Sequence, residues 1–216
     1  SIALTNNGTN PLQHITIQDR KITENGNVVL EGLDEALKFV RIESNASLSS
    51  LPQGKTFADI VEKVTAYYAD GTIQDYPITQ LDAVGNFTVT FDEAKICAGY
   101  DVIFRDDYQM QTSEKASFIA YTVYRDPSGT HIPDGEAKIT YKNTARAVNI
   151  YQKDDQSVFS YAVASHSYDM LPSTENLSLY KLTLCNDGTE TFLGRGGNHV
   201  GDYFLYQLTL YGSLLE

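Results

Sequence analysis

Apolar and polar residues alternate in short runs along most of this chain, and the runs are rich in Val, Ile, Thr, Tyr and Phe. A period of two puts every second side chain on one face of an extended backbone, which is the pattern of half-buried strands. It predicts strands over residues 2–5, 14–18, 28–31, 38–43, 61–68, 73–78, 86–91, 101–105, 116–124, 137–141, 146–151, 158–164, 177–184 and 203–210. Gly, Asn, Asp and Pro punctuate the gaps. Asp70-Gly71, between two such runs, predicts a hairpin because both residues tolerate positive φ. Helical turns are expected only at 32–37 and 92–97, each too short to stand alone. Evenly spaced strands with turn chemistry between them predict an all-β fold, a β-sandwich rather than an α/β layer.

Composition narrows the partners. The chain has 216 residues with 16 Lys+Arg against 28 Asp+Glu, a formal charge of −12 and a pI near 4.7. Nucleic-acid binding, which draws its affinity from basic residues on phosphates, is excluded, and so is a polybasic membrane patch. No apolar run approaches the roughly 18 residues of a spanning helix, so membrane insertion is not expected. Fifteen Tyr and nine Phe, with no Trp, supply core material. The opening Ser1-Ile2-Ala3-Leu4 reads as the middle of a strand, as in a fragment or a mature segment. Pro127 and Pro133 bracket an exposed loop, and 168–176 reads as a linker. The expected organisation is a module over 1–167, that linker, and 177–216 as the first strands of a following repeat or strands completing the first module. The region 46–125 is legible only through its β periodicity.

No catalytic motif emerges. Cys97 and Cys185 form no CxxC pair, and His14, His131, His166 and His199 lie far apart, so no zinc or other metal site is expected. One disulfide or two separate thiols both fit that spacing. Asp106-Asp107 and Asp154-Asp155 lack the alternation of a calcium loop and read as solvated turns. The glycine-rich stretch 194–199 lacks the Lys-Ser/Thr ending of a phosphate loop, and Ser165-His166-Ser167 has no nucleophile elbow beside it. The sequons at Asn7, Asn45, Asn86 and Asn176 mark turns. No cofactor is expected, and the chain does not read as an enzyme.

Two sets of short motifs lie near the ends. Asn6-Asn7-Gly8 precedes a strand that ends at Asp19, and Asn143-Thr144-Ala145 follows the strand near 139–141. Further on come Leu177-Ser178-Leu179-Tyr180-Lys181, Val200-Gly201-Asp202 and Tyr206-Gln207-Leu208-Thr209-Leu210. In this order the motifs resemble the conserved-repeat, immunoglobulin-like modules of Gram-positive cell-wall surface proteins, of the adhesin and pilin type. The resemblance implies an immunoglobulin-like sandwich, with room for an inserted or second small β subdomain. It also implies a self-formed amide (isopeptide) bond with Lys181 as nucleophile, Asn143 as acceptor and Asp19 as the acid that moves the proton. Here the lysine belongs to the next repeat, so the three residues meet only after permutation or strand exchange with a neighbouring copy. Without such a bond, Lys181 is a surface strand lysine, Asn143 a turn residue and Asp19 a strand-end cap.

The function expected from this is a non-enzymatic extracellular module at the cell surface or cell wall, a stalk or adhesin repeat that meets a host or cell-surface protein or glycan. The alternative is a β-sandwich of a secreted protein that binds a carbohydrate or protein ligand, with Tyr67-Tyr68, Tyr121, Tyr124, Tyr203 and Tyr206 as its aromatic material.

Overall fold

The computed structural model describes residues 1–125, 139–153 and 156–170, with side chains over 1–125, 140–150 and 156–167. Two compact units divide the chain, one made of Ser1–Pro127 and Lys142–Ser167, the other of Ser128–Tyr141 and Tyr168–Glu216. The first unit is the subject below, since most of the second lies outside the described residues.

The strands are β1 (Ile2–Thr5), β2 (Thr16–Asp19), β3 (Ile22–Glu24), β4 (Asn27–Leu30), β5 (Gly32–Leu33), β6 (Leu37–Ser44), β7 (Val61–Tyr68), β8 (Ile73–Pro77), β9 (Thr88–Thr90), β10 (Cys97–Phe104), β11 (Lys115–Tyr124), β12 (Ile139–Lys153) and β13 (Gln156–Met170). A 3₁₀ turn covers Ala46–Leu48, and a single α-helical turn, α1, covers Phe57–Ile60. All strands but β3 and β4 join one curled antiparallel sheet, and those two pair with each other.

The sheet is organised as two ladders. One runs β8–β7–β10–β2–β12–β13, and the other runs β1–β11–β6–β9. They meet at a single pair, Cys97↔Phe39. Alternation sets which side chains point in. In β6, Leu37 and Phe39 are buried, then Ile42 and Ser44, and the phase slips because Val40 is an extra residue opposite the Tyr121–Thr122 step of β11. Between the ladders lie two aromatic clusters. Phe57 packs on Phe87 and Phe118 with ring centroids 5.8 and 5.6 Å apart. Tyr100 packs edge-on to Phe39 at 4.9 Å and stacks with Phe91 at 6.1 Å.

The β7–β8 hairpin forms around Asp70-Gly71 as expected, with Gly71 at φ +85°. Neither expected helical turn exists. Gly32 sits at φ +72°, where a Cβ would come within 2.5 Å of the Arg20 carbonyl carbon, and its segment pairs with β12 as β5. At 92–97, Asp92 accepts from the backbone N–H of Ala94 at 2.9 Å, an Asx turn that competes with a helix, and Cys97 already opens β10. The helical turn that does form, α1, is closed by Thr56 N–H donating to Asp59 at 2.8 Å. The strands expected at 137–141 and 146–151 are one continuous strand, β12. The expected linker residues beyond Met170 and the strands expected at 177–184 and 203–210 lie outside the described residues.

Candidate functional site

Asp19 closes β2. Alternation turns Ile17 and Asp19 inward, so the carboxylate is fully buried. It ends its strand, and does so in the interior. Across the ladder Asp19 pairs with Tyr100 of β10, while Gln18 pairs with Arg146 of β12. At Ala145 β12 leaves β2 for β5, so that Asn143 pairs with Leu33. This change of partner, rather than a turn, is what Asn143 occupies. Its side chain reaches back across the strand to Asp19.

The contacts converge on one oxygen. Asn143 Nδ2 donates to Asp19 Oδ2 at 2.9 Å, and the Tyr100 hydroxyl donates to the same atom at 3.1 Å. Asp19 Oδ1 and Asn143 Oδ1 are both buried, and neither has a hydrogen-bond partner among the described residues. A buried acceptor without a partner is costly, because it has lost water without replacement. Burial is the dominant influence on Asp19 and lifts its pKa to about 6, against the pull of the Asn143 and Tyr100 hydrogen bonds. The Ser1 ammonium also lowers it and the Asp101 carboxylate raises it. A protonated carboxyl is a donor. With the Asn143 amide turned half round, Asp19 would donate to the carboxamide oxygen across the same short contact and polarise its carbonyl.

The surroundings keep this pair dry. Phe39 and Phe91 flank Tyr100, whose hydroxyl pKa burial drives well above its ordinary value. Cys97 carries a free buried thiol pushed up to about 12, chiefly by burial, with the Asp19 charge contributing. Cys185 lies outside the described residues. Gly99 permits the close approach of β10, since a Cβ there would strike the Arg20 side chain and lie 2.8 Å from the Asp19 carbonyl oxygen.

Asp101, one residue along β10, shows what a satisfied buried carboxylate looks like here. Arg20 Nε donates to one of its oxygens and the Tyr67 hydroxyl to the other, both at 2.9 Å. Among the described residues Asp19 is bonded to no such cation. Lys181, the third residue singled out from the sequence, lies outside the described residues, and no described lysine is bonded to the pair. Tyr100 was not singled out, although its inward phase in the run Cys97–Phe104 was available as a signal. Among the described residues no cluster of His, Cys, Asp or Glu is arranged to hold a metal ion, and no helix is long and apolar enough to cross a membrane.

Known families, curated proteins and solved structures offer this chain no match.

A second feature lies on the same unit. An open trough of about 920 Å³ runs between β1 with its following loop and the β12–β13 pair, with Leu4, Asn6, Leu12, Ala147, Asn149 and Ala162 among its walls. Asn6 is pinned by its own loop, donating to the carbonyls of Asn10 and Met110 at 2.9 Å each. Asn149 accepts from Ser160 at 2.8 Å.

Proposed function

We propose that this chain is a non-enzymatic extracellular surface module, a stalk or adhesin repeat of cell-wall type, on an immunoglobulin-like sandwich. In this reading Asp19 and Asn143 are the acceptor half of a self-formed amide bond, and Lys181 supplies the nucleophile. The observation that carries it is the pair of oxygens Asp19 Oδ1 and Asn143 Oδ1, each buried without a partner among the described residues, on side chains joined by a 2.9 Å hydrogen bond, the carboxyl having a raised pKa.

The chemistry needs nothing further. A lysine entering this apolar site loses its charge, because burial disfavours the ammonium, and its Nζ lone pair becomes nucleophilic. Protonated Asp19 donates to the Asn143 carboxamide oxygen while Nζ attacks Cγ. The Cγ–Nδ2 bond breaks, a proton from the attacking nitrogen passes through the carboxyl to the leaving nitrogen, and ammonia departs. Asp19 ends as it began and one secondary amide replaces a primary amide and an amine. A group used once and not regenerated for a second substrate makes a crosslink rather than an enzyme.

The test is the intact mass of the purified, denatured chain. A deficit of one ammonia, absent from Lys181→Ala and from Asn143→Ala, is the expected result. A mass equal to that of the sequence overturns the crosslink.

A further inference from the structure

Three observations bear on the Tyr100 hydroxyl. First, it donates to Asp19 Oδ2 at 3.1 Å, the same oxygen that accepts from Asn143 Nδ2 at 2.9 Å. The oxygen turned toward the carboxamide is therefore the one the phenol holds, which fixes the rotation of the carboxyl group. Second, the phenol is itself fixed. Tyr100 stands directly across the ladder from Asp19 and is fully buried, with its ring edge-on to Phe39 at 4.9 Å and stacked with Phe91 at 6.1 Å. Third, it is a neutral donor. A cation in its place would favour the ionised form of Asp19 and so take away the acid. A hydroxyl steadies the carboxylate and still lets the proton return.

We propose that Tyr100 is the positioning residue of the amide-forming step: it aims the Asp19 carboxyl at the Asn143 carboxamide and stabilises the carboxylate each time the proton has left. The proposal rests on the amide reading above and adds a residue to it. In that reaction Asp19 gives up its proton twice. It first protonates the carboxamide oxygen as Nζ attacks Cγ, and is reprotonated from the attacking nitrogen. It then protonates the leaving nitrogen, and recovers a proton from that oxygen as ammonia departs. Each loss leaves a charge in an apolar site, where a preorganised donor counts most. Tyr100 enters and leaves unchanged, since burial keeps its own proton in place. Asp101 and the Ser1 ammonium act on Asp19 through their charge, in opposite senses, and the Cys97 thiol donates to the Gly99 carbonyl at 3.4 Å.

Refolding the full chain, produced unfolded in denaturant, starts the reaction, and the loss of ammonia by intact mass follows it. Tyr100→Phe keeps the ring and removes the donor. It should slow amide formation roughly 10- to 100-fold, the range expected of one hydrogen bond to a charged group. The reaction needs Asp19 protonated, so its rate falls as pH rises through the pKa of that carboxyl. The Tyr100 hydrogen bond lowers this pKa, so its loss should carry the fall to higher pH. Replacing Tyr100 by difluorotyrosine, a stronger donor of nearly the same shape, should move the fall to lower pH without emptying the site. Tyr67→Phe, which removes the corresponding hydroxyl from Asp101, should change neither rate nor profile. An unchanged rate and pH profile in both Tyr100 variants overturns the role of Tyr100 and leaves the amide reading standing. Slowing that Tyr67→Phe reproduces, with the pH profile unmoved, makes the hydroxyl a part of the fold alone and overturns the role as well. No ammonia lost from the unsubstituted chain overturns both.

Discussion

Asp19 and Asp101 show how little separates a stabilising carboxylate from a reactive one. Both are buried on adjacent positions of neighbouring strands, but Arg20 and Tyr67 meet one while only neutral donors meet the other. The consequence for Asp19 is a pH dependence of definite sign. Its carboxyl rises from 3.8 to about 6 on folding, so between those values the folded chain keeps a proton that the unfolded chain has lost. Stability is full below the unfolded value and declines as pH rises through the folded one. The decline is about 3 kcal/mol, at 1.36 kcal/mol per pKa unit. Urea unfolding of the Lys181→Ala chain between pH 3.5 and 8 should trace that loss, and adding Asp19→Asn should flatten the curve and raise stability at pH 8. An unchanged slope in the double variant would refute the assignment. At this scale the sequence was partly legible. Asp19 and Asn143 stood out through their motifs, and the structure brings them to hydrogen-bond distance. Their burial did not show, because Lys142-Asn143-Thr144 is a polar run with the look of a turn. Asn143 shares a face of β12 with Ala147, which pairs with the buried Ile17, and that long-range pairing is what the local sequence does not reveal.

A strand with strict alternation, such as β1, could be read off the chain, because nothing but the pleat decides its faces. Where a long-range contact decides, the local pattern misleads. Gly32 looks like the start of a helical turn, yet its place in β5 depends on Arg20 and Lys21 pressing against the missing Cβ. The helical turn α1 was missed because four residues carry too little periodicity, though Thr56 and Asp59 have capping spacing. That small element matters beyond its size. It delivers Phe57, fully buried, between Phe87 and Phe118 and so ties the β9 approach to β11. Phe57→Ala should cost about 3–5 kcal/mol, read as a lower urea midpoint with an unchanged slope. A loss below about 1 kcal/mol would mean that the cluster collapses onto the gap.

The all-β character of the described residues and the acidic charge balance of the chain were visible in composition and periodicity alone. The arrangement of the ladders was not, since pairings such as β2 with β12 join residues more than a hundred positions apart. That arrangement is lopsided. The ladders are stitched together by Cys97↔Phe39 on one side, while β1 and β13 stand at their other ends. A body fastened along one side opens from the other, and backbone amides record how often it does. Deuterium uptake by the Lys181→Ala chain should be slowest at β10 and β6, beside the seam, and fastest at β1 and the 156–167 stretch of β13. Uniform uptake across these strands would mean that the ladders come apart only together. The spread of amide lifetimes from the seam to β1 would then give the free energy of opening from the unfastened side, which is smaller than that of unfolding the whole.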